Sequence, residues 1–402
     1  MTILAYSSLS RVAQLFTGHR AATTLQRACA LSSSLSTTAA VSRTFASMPN
    51  KPTEGGVYCG VDANAKPSQF NADQDKFAVS AEAAKKGAFK RPATAFHGRV
   101  TADGSSEFPA EKGRYHLYVA WACPWAHRAL LVHKLKGLED AISVTVLDWF
   151  LDFGNGDDRP YRGWPFRKED PDPLHPEFTH LHDVYRLADK DYPHKSISVP
   201  VLFDKKQQTI VNNESAEIIE ILNTEFNAFA RNPDLDLNPS DLDQAQRDIN
   251  ALVYPNINDG VYRCGFAGSQ EAYDEAVTNL FDTLDKLEAI LDKQRYLCGD
   301  RLTLADIRLL PTLLRFDIVY HTHFKCNKRR IKDYPNLFAF ACELYQLPGV
   351  KDTFNPTETK KHYFGSHLKI NPLGIVAVGP PIEFDSKHDR AERFPVSSDQ
   401  RQ

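Results

Sequence analysis

The stretch YVAWACPWAHRALLVHKLKG, residues 118–137, runs a strand straight into Cys-Pro and on into a helix. That order constrains the fold more than any other feature of the chain. Tyr118, Val119, Ala120 and Trp121 suit a buried strand. Pro124 lacks an N–H and has a fixed φ, so it fits the first turn of a helix. Gly137 suits the end of that helix, and Leu131, Leu135 and Leu138 fall on one face. Cys123 therefore stands at the helix N-terminus, where free N–H groups and the dipole favour an anion.

A cysteine in that position reads as reactive, with Pro124 behind it and the His127–Arg128 pair one turn later. Lowering its pKa by three units requires about 4 kcal/mol of preference for the thiolate. A helix dipole supplies at most about 2 kcal/mol, so backbone N–H donors are expected to supply much of the rest. Arg128 helps only if its head folds back toward the sulfur. Position 126 is Ala126, where a dithiol redox site would carry a second cysteine. Cys123 then has no resolving partner in its motif. It forms a mixed disulfide with a small thiol and needs a second small thiol to be released.

The surrounding chain shows the same strand-and-helix logic. AISVTVLDW alternates as a strand, with Ile142, Val144 and Val146 on one side. A Pro-, Gly- and Asp-rich insertion from Leu151 to His194 breaks regular structure and is too long for a passive turn. SVPVLFD and QTIVNN then read as two short strands, and ESAEIIEILNTEF as a helix with Ile218, Ile219, Leu222 and Phe226 facing inward. Strand, helix, strand, insertion, strand, strand, helix is the thioredoxin-like order. Pro200 falls at the start of the third strand, a position where a cis bond is tolerated.

From NPSDLDQAQRDINALVY onward the pattern turns helical. Ser240 with Asp243, and Thr303 with Asp306, read as capping pairs. Tyr273, Val277, Leu280, Leu284, Leu287 and Leu291 form one stripe at helical spacing, which is bundle core. Pro311 is expected to kink the helix that contains it. The fold class is thus α/β plus all-α. Residues 1–48 form a leader, 49–112 an extended arm with short helical pieces, 113–230 a thioredoxin-like domain, 238–368 an all-helical domain, and 369–402 a tail.

Composition excludes several functions. A net charge of −3 gives no electrostatic case for a nucleic-acid partner. No apolar run approaches the roughly 18 residues a membrane span needs. Seven scattered cysteines are too few for a disulfide framework and suit a reducing compartment. The leader has no acidic residue before Glu54, and Arg11, Arg20, Arg27 and Arg43 punctuate a Ser/Thr/Ala-rich tract. That composition is of the transit-peptide type. A mitochondrial address is favoured, with plastid or cytoplasm as alternatives.

The remaining motifs describe a ligand. Val199 and Pro200 lie where a peptide-like ligand pairs with backbone as one more strand. NNES starts a helix whose N–H groups suit a carboxylate. Ser215 suits that carboxylate too, and Glu214 an ammonium group. Helix capping is an equal reading of Glu214 and Ser215 taken alone, but with Cys123 and Pro200 in the same domain ligand binding leads. A carboxylate, an ammonium, a peptide backbone and a lone thiol together describe glutathione. HTHFKC offers His321, His323 and Cys326, but not at a standard zinc spacing, and no metal is expected. Lys325, Lys328, Arg329 and Arg330 read as a solvated basic face.

Taken together, AWACPWAHR, GWPF, VPVLFDKKQQTIVNNESAEIIEILN, GVYRCGFAGSQEAYDEAV, YLCGDRLTLADIRLLPTLLRFDIVYHTHFKC and HYFGSHLKINPLGI resemble the glutathionyl-hydroquinone reductases, the Xi class of glutathione transferases. CPWAHR alone also suits omega-class transferases. The resemblance implies a thioredoxin-like domain followed by a helical one, a homodimer, and Cys123 as catalytic nucleophile. It implies that Trp164 contacts glutathione, that the Val199 backbone pairs with the tripeptide beside Pro200, and that Glu214 and Ser215 hold its γ-glutamyl end. Tyr254, Tyr363 and Tyr262 match tyrosines near the aromatic substrate, a glutathionylated hydroquinone. The alternatives are an omega-like thiol transferase or dehydroascorbate reductase, and a non-catalytic ligand-binding protein of the same fold.

Overall fold

In the computed structural model, residues 87–89, 91–154 and 159–395 are described. The leader and most of the arm lie outside them. Two short strands, β1 (Val100–Thr101) and β2 (Phe108–Pro109), open the described chain. They are followed by β3 (Tyr115–Val119), α1 (Pro124–Lys136), β4 (Ser143–Val146), α2 (Leu181–Ala188), β5 (Val201–Asp204), β6 (Thr209–Asn212) and α3 (Ser215–Thr224). The sheet runs β4-β3-β5-β6. β3 and β4 are parallel, with Leu117 opposite Val144. β3 and β5 are antiparallel, with Leu117 opposite Leu202, and so are β5 and β6.

β3 is buried along its whole length, because α1 and α3 cover one face and α2 the other side of the ladder. α1 ends at Gly137, whose φ of +66° forms the left-handed cap that its N–H bonds to His133 O and Lys134 O complete. α2 corrects the sequence reading, which left 151–194 irregular. The helix is short, and its start depends on Asp183, whose carboxylate accepts from the N–H groups of Thr179 (2.9 Å) and His180 (3.0 Å). Leu181, Val184 and Tyr185 form its buried face. With α2 in place the order is the full βαβαββα of a thioredoxin-like domain.

The helical domain follows: α4 (Asp243–Val253), α5 (Gly260–Gly265), α6 (Gln270–Leu291), α7 (Leu304–Arg315), α8 (Pro335–Tyr345) and α9 (Pro356–Ser366). Leu280, Leu284, Leu287 and Leu291 of the α6 stripe are fully buried. Thr303 and Asp306 make a reciprocal cap, with Thr303 N donating to Asp306 Oδ2 at 2.8 Å. Ser240 and Asp243 do not. A single 3₁₀ turn at Ser240–Leu242 occupies that place, with Leu242 N bonded to Pro239 O (3.0 Å), so the first N–H groups of α4 need no side-chain partner.

α7 continues through Pro311 rather than breaking there. Two wide π steps interrupt the bundle, Tyr254–Asn258 between α4 and α5 and Phe316–Tyr320 after α7. The tail docks back on the bundle through α10 (Arg390–Arg393). There Arg390 is fully buried and donates to Leu291 O, Gln294 O and Glu343.

The described part of the arm, from residue 87, contains no helix and closes the sheet edge instead. Gly98 N donates to Val211 O (2.8 Å), and Asn213 Oδ1 accepts from Ala95 N and Phe96 N. An edge strand left bare invites pairing with another chain; here the arm covers β6. The arm then continues to the helical domain, where Arg91 Nε meets Asp259 Oδ1 at 2.8 Å.

Candidate functional site

Cys123 is the N-cap of α1, with extended backbone (φ −76°, ψ 119°) and Pro124 at the first helical position. Its sulfur donates to Val199 O at 3.4 Å. The Val199–Pro200 bond is cis, and it turns that carbonyl toward the start of α1 just before β5 begins. The contact joins residues 76 positions apart, next to the β3–β5 pairing of Tyr118 with Val201.

The expected low thiol pKa is not what the structure holds. Burial pushes the Cys123 thiol up; the N–H groups of Ala126 and Trp125 and the charges of Arg315 and Arg91 pull it back without winning. Cys123 is 8% exposed, so the thiolate loses most of its water. The resting group is a thiol with a carbonyl to donate to.

Neither side chain of the His127–Arg128 pair hydrogen-bonds the sulfur, and Arg128 reaches it through charge alone. Four and five residues along a helix, both side chains face the helical domain. Arg128 lies over the Trp125 ring at 4.3 Å and donates to Asn258 Oδ1 (2.8 Å) and Arg308 O (3.2 Å). His127 Nδ1 meets the Arg315 guanidinium at 3.0 Å, and its Nε2 meets Thr353 Oγ1 at 2.8 Å. Arginine only donates, so Nδ1 is the acceptor and the ring is neutral. Burial and Arg315 hold its pKa far below the usual histidine value. His127 is not a base for the thiol.

Arg315, which sequence reading did not single out, does reach the Cys123 loop. It is fully buried, and it donates to Trp121 O (2.8 Å), Ala122 O (2.9 Å) and Pro311 O (2.8 Å). The guanidinium thus fixes the two carbonyls immediately before Cys123 from the last turn of α7.

At the other helix start, Glu214 is the N-cap of α3. Oε1 accepts from Ala216 N (3.0 Å) and from Ser215 Oγ (3.4 Å), and Oε2 from Thr94 Oγ1 (3.2 Å). The capping reading is therefore realised, and the arm adds a donor through Thr94. Capping leaves the carboxylate half-buried at the mouth of the helix.

Trp164 lies in the insertion, 6% exposed, stacked on His362 of α9 at 4.8 Å. Gly163 before it has φ +75°, and a Cβ there would meet Ile197 Cγ2 at 2.7 Å. Only glycine allows the loop to approach that closely. Tyr262 and Tyr363 share a 2.5 Å hydroxyl contact, and Tyr320, missed in the sequence, bonds Tyr363 at 3.0 Å. Burial raises the pKa of all three, so each remains a neutral phenol. Tyr254 stands apart from this chain of hydroxyls. It is 45% exposed, its ring 5.7 Å from Trp125.

HTHFKC does not gather ligands: His323 Nε2 faces His367 Nδ1 (3.3 Å), and Cys326 packs toward Val261 O. Among the described residues no group of three or more His, Cys, Asp or Glu could hold a metal.

Comparison with known proteins fits this arrangement. The family description "Glutathione S-transferase, N-terminal domain" matches residues 122–225, and "Glutathione S-transferase, C-terminal domain" matches residues 270–341. Glutathionyl-hydroquinone reductase YqjG of Escherichia coli is 48% identical over 318 residues, 77% of this chain and 94% of that protein. Glutathionyl-hydroquinone reductase PcpF of Sphingobium chlorophenolicum is 47% identical over 297 residues, 73% and 90% of the two chains. The chain belongs to the glutathionyl-hydroquinone reductases, the Xi class of glutathione transferases. The glutathione-bound structure of YqjG superposes on this Xi-class chain with a TM-score of 0.70 at 47% identity, covering 75% of this chain and 98% of that one. The Xi glutathione transferase of Phanerochaete chrysosporium gives 0.69 at 48% identity, covering 74% and 94%.

In this Xi-class chain the site is shared between domains. α1, the Val199–Pro200 turn and the start of α3 lie in the thioredoxin-like domain. Tyr262, Tyr320 and Tyr363 rise from the helical domain, and Thr94 and Arg91 come from the arm.

Proposed function

We propose that the chain reduces glutathionyl-hydroquinones to hydroquinones through a Cys123–glutathione mixed disulfide. One observation carries the reading: Cys123 stands at a helix start beside the cis Val199–Pro200 turn, with Ala126 in place of a second cysteine. A lone thiol there can accept one glutathione and must be released by another.

The Val199 backbone, fixed by Pro200, pairs with the cysteinyl unit of glutathione. Glu214 and Ser215, at the start of α3, hold the γ-glutamyl ammonium and carboxylate. Trp164 covers the tripeptide, and Tyr254, Tyr262 and Tyr363 line the aromatic side. The sulfur of Cys123 attacks the glutathione sulfur, a sulfur–sulfur bond forms, and the carbon–sulfur bond breaks. Over the whole reaction, including tautomerisation of the ring, the bond from ring carbon to sulfur is replaced by one to hydrogen, and Cys123 gives up one proton. The resting thiol ionises as it attacks, and the proton it releases balances the one the product gains. A second glutathione then attacks the mixed disulfide, and oxidised glutathione leaves.

Single turnover tests this. One equivalent of glutathionyl-hydroquinone, without free glutathione, is expected to give one hydroquinone and one glutathione adduct on Cys123 by peptide mass spectrometry. Hydroquinone release with no adduct on Cys123 would sink the scheme.

The protein acts as a homodimer in the same proposal; the exposed apolar residues Leu373, Ile375 and Val378 of the tail support a self-association surface, measured by light scattering. The acid-free, arginine-punctuated residues 1–48 support a mitochondrial address, read from where a reporter fused to them accumulates.

A further inference from the structure

The arm brings Arg91 to the aromatic side of the site, from a position no motif singles out. Its guanidinium carbon lies 4.5 Å from the Tyr262 ring centroid and 4.8 Å from that of Trp125, with Asp259 bound at Nε. The acid uses one edge of the fork. Among the described residues Nη2 is buried and has no hydrogen-bond partner, and neither has the buried Nε1 of the stacked Trp125.

Two orphan donors side by side are costly. Each unmade buried hydrogen bond costs about 1–3 kcal/mol, more when the group is charged. Such groups persist where an acceptor arrives during function. The acceptor here must suit a cation, because the Arg91 charge acts on Tyr254, Tyr262 and the Cys123 sulfur at once. Neutral phenols at Tyr262 and Tyr363 extend the donor set. An arrangement of donors around one cation fits an oxygen that gains negative charge.

We propose that Arg91 is a catalytic residue whose Nη2 donates to a ring oxygen of the glutathionyl-hydroquinone and stabilises the phenolate formed as the carbon–sulfur bond breaks. The inference rests on the reductase reading above. In the keto tautomer the carbon bearing sulfur already holds a hydrogen and adjoins a carbonyl. Attack by the Cys123 sulfur forms the disulfide. The carbon–sulfur pair moves into the ring, and the carbonyl oxygen becomes phenolate. That oxygen takes up a proton equivalent to the one Cys123 released, giving the hydroquinone. The two sulfurs are oxidised to a disulfide, the ring carbon is reduced, and no further electron carrier is needed.

The test compares two reactions of Cys123 in the full-length protein. Both give the same mixed disulfide: one from a glutathionyl-hydroquinone, whose leaving group carries the ring oxygen, and one from glutathione disulfide, whose leaving group has none. Adduct formation is followed by rapid quench and mass spectrometry. Arg91→Gln is expected to slow the first by about 100–1,000-fold, and the second far less, only by the thiolate that Cys123 loses with the Arg91 charge, a loss both reactions share. Arg91→Lys, which keeps the charge near Asp259 but not the fork, recovers part of the first rate.

Equal losses in both reactions would overturn the inference, since Arg91 would then serve glutathione or the sulfur. An unchanged first rate would overturn it too. If Arg91→Gln does not fold, Arg91→Lys and Trp125→Phe carry the same comparison, with loss expected only with the ring substrate. A wild-type protein that forms the adduct from glutathione disulfide and none from the quinol conjugate refutes the reductase reading itself. A wild type active on both, with an unselective Arg91→Gln, refutes Arg91 alone.

Discussion

Cys123→Ser is expected to lower glutathione-dependent release of hydroquinone by at least about 10⁴-fold. The hydroxyl cannot form the sulfur–sulfur bond that holds the first glutathione, so the two-step path is closed. What remains is direct attack of a second glutathione on the bound conjugate. That route forfeits an oriented nucleophile, and intramolecular orientation reaches effective molarities of about 10⁵–10⁸ M. The substitution is nearly isosteric at a site 8% exposed, where the sulfur donates to Val199 O and faces the N–H groups of Trp125 and Ala126. A serine hydroxyl can make the same contact, so the fold and glutathione affinity are expected to persist. Calorimetric titration with glutathione provides that control. A hydroxyl at the helix start can still stabilise a glutathione thiolate, so conjugation of glutathione to an electrophile is expected to appear as the reductase activity disappears. Hydroquinone release above about 1% of wild type, from a variant that binds glutathione normally, would show that another group is the nucleophile.

The Cys-Pro start and the Gly137 stop were legible because each rests on a local rule, a missing N–H and a left-handed cap, whereas the strand read at Tyr118–Trp121 runs from Tyr115 to Val119 and gives way to a turn at Trp121. Pro200 was legible for the same reason, and its bond is cis. α2 was not, because its start signal is the single carboxylate of Asp183 amid prolines that speak against regular structure. The capping pairs show the limit of short motifs: Thr303–Asp306 closes, while Ser240–Asp243 is displaced by a 3₁₀ turn of the same residues.

At the site, the residues placed by motif came from contiguous stretches. Those missed act across long separations on partners without a sequence signature. Arg315 bonds backbone carbonyls 193 and 194 positions away. Arg91 meets Asp259 across 168 positions, and Tyr320 is one phenol among many until Tyr363 closes on it. The direction of the Cys123 pKa was missed for a related reason. The dipole and N–H donors can be inferred from a helix start, but the degree of burial belongs to the assembled domains.

Arg315→Met tests that assembly and is expected to cost about 3–5 kcal/mol of stability, since each buried acceptor left unpaired costs about 1–3 kcal/mol. Methionine fills most of the volume and donates nothing. It leaves Trp121 O, Ala122 O and His127 Nδ1 without the donor they now share. Denaturant unfolding, with the slope checked for constancy, measures the loss. A second effect follows from charge. Burial raises the Cys123 pKa and Arg315 opposes it, so removing the cation moves the pKa further up. At any pH below that value the thiolate fraction falls, and alkylation of Cys123 by iodoacetamide slows. The wild-type rate is expected to keep climbing through pH 9, and the variant's curve to lie at higher pH in parallel. Arg315→Lys separates the two effects, since an ammonium restores the charge while reaching fewer of the carbonyls. Its alkylation curve is expected to return toward wild type while its stability stays low. A folded Arg315→Met protein alkylated at the wild-type rate across the whole range would mean that α7 anchors the loop without tuning the sulfur.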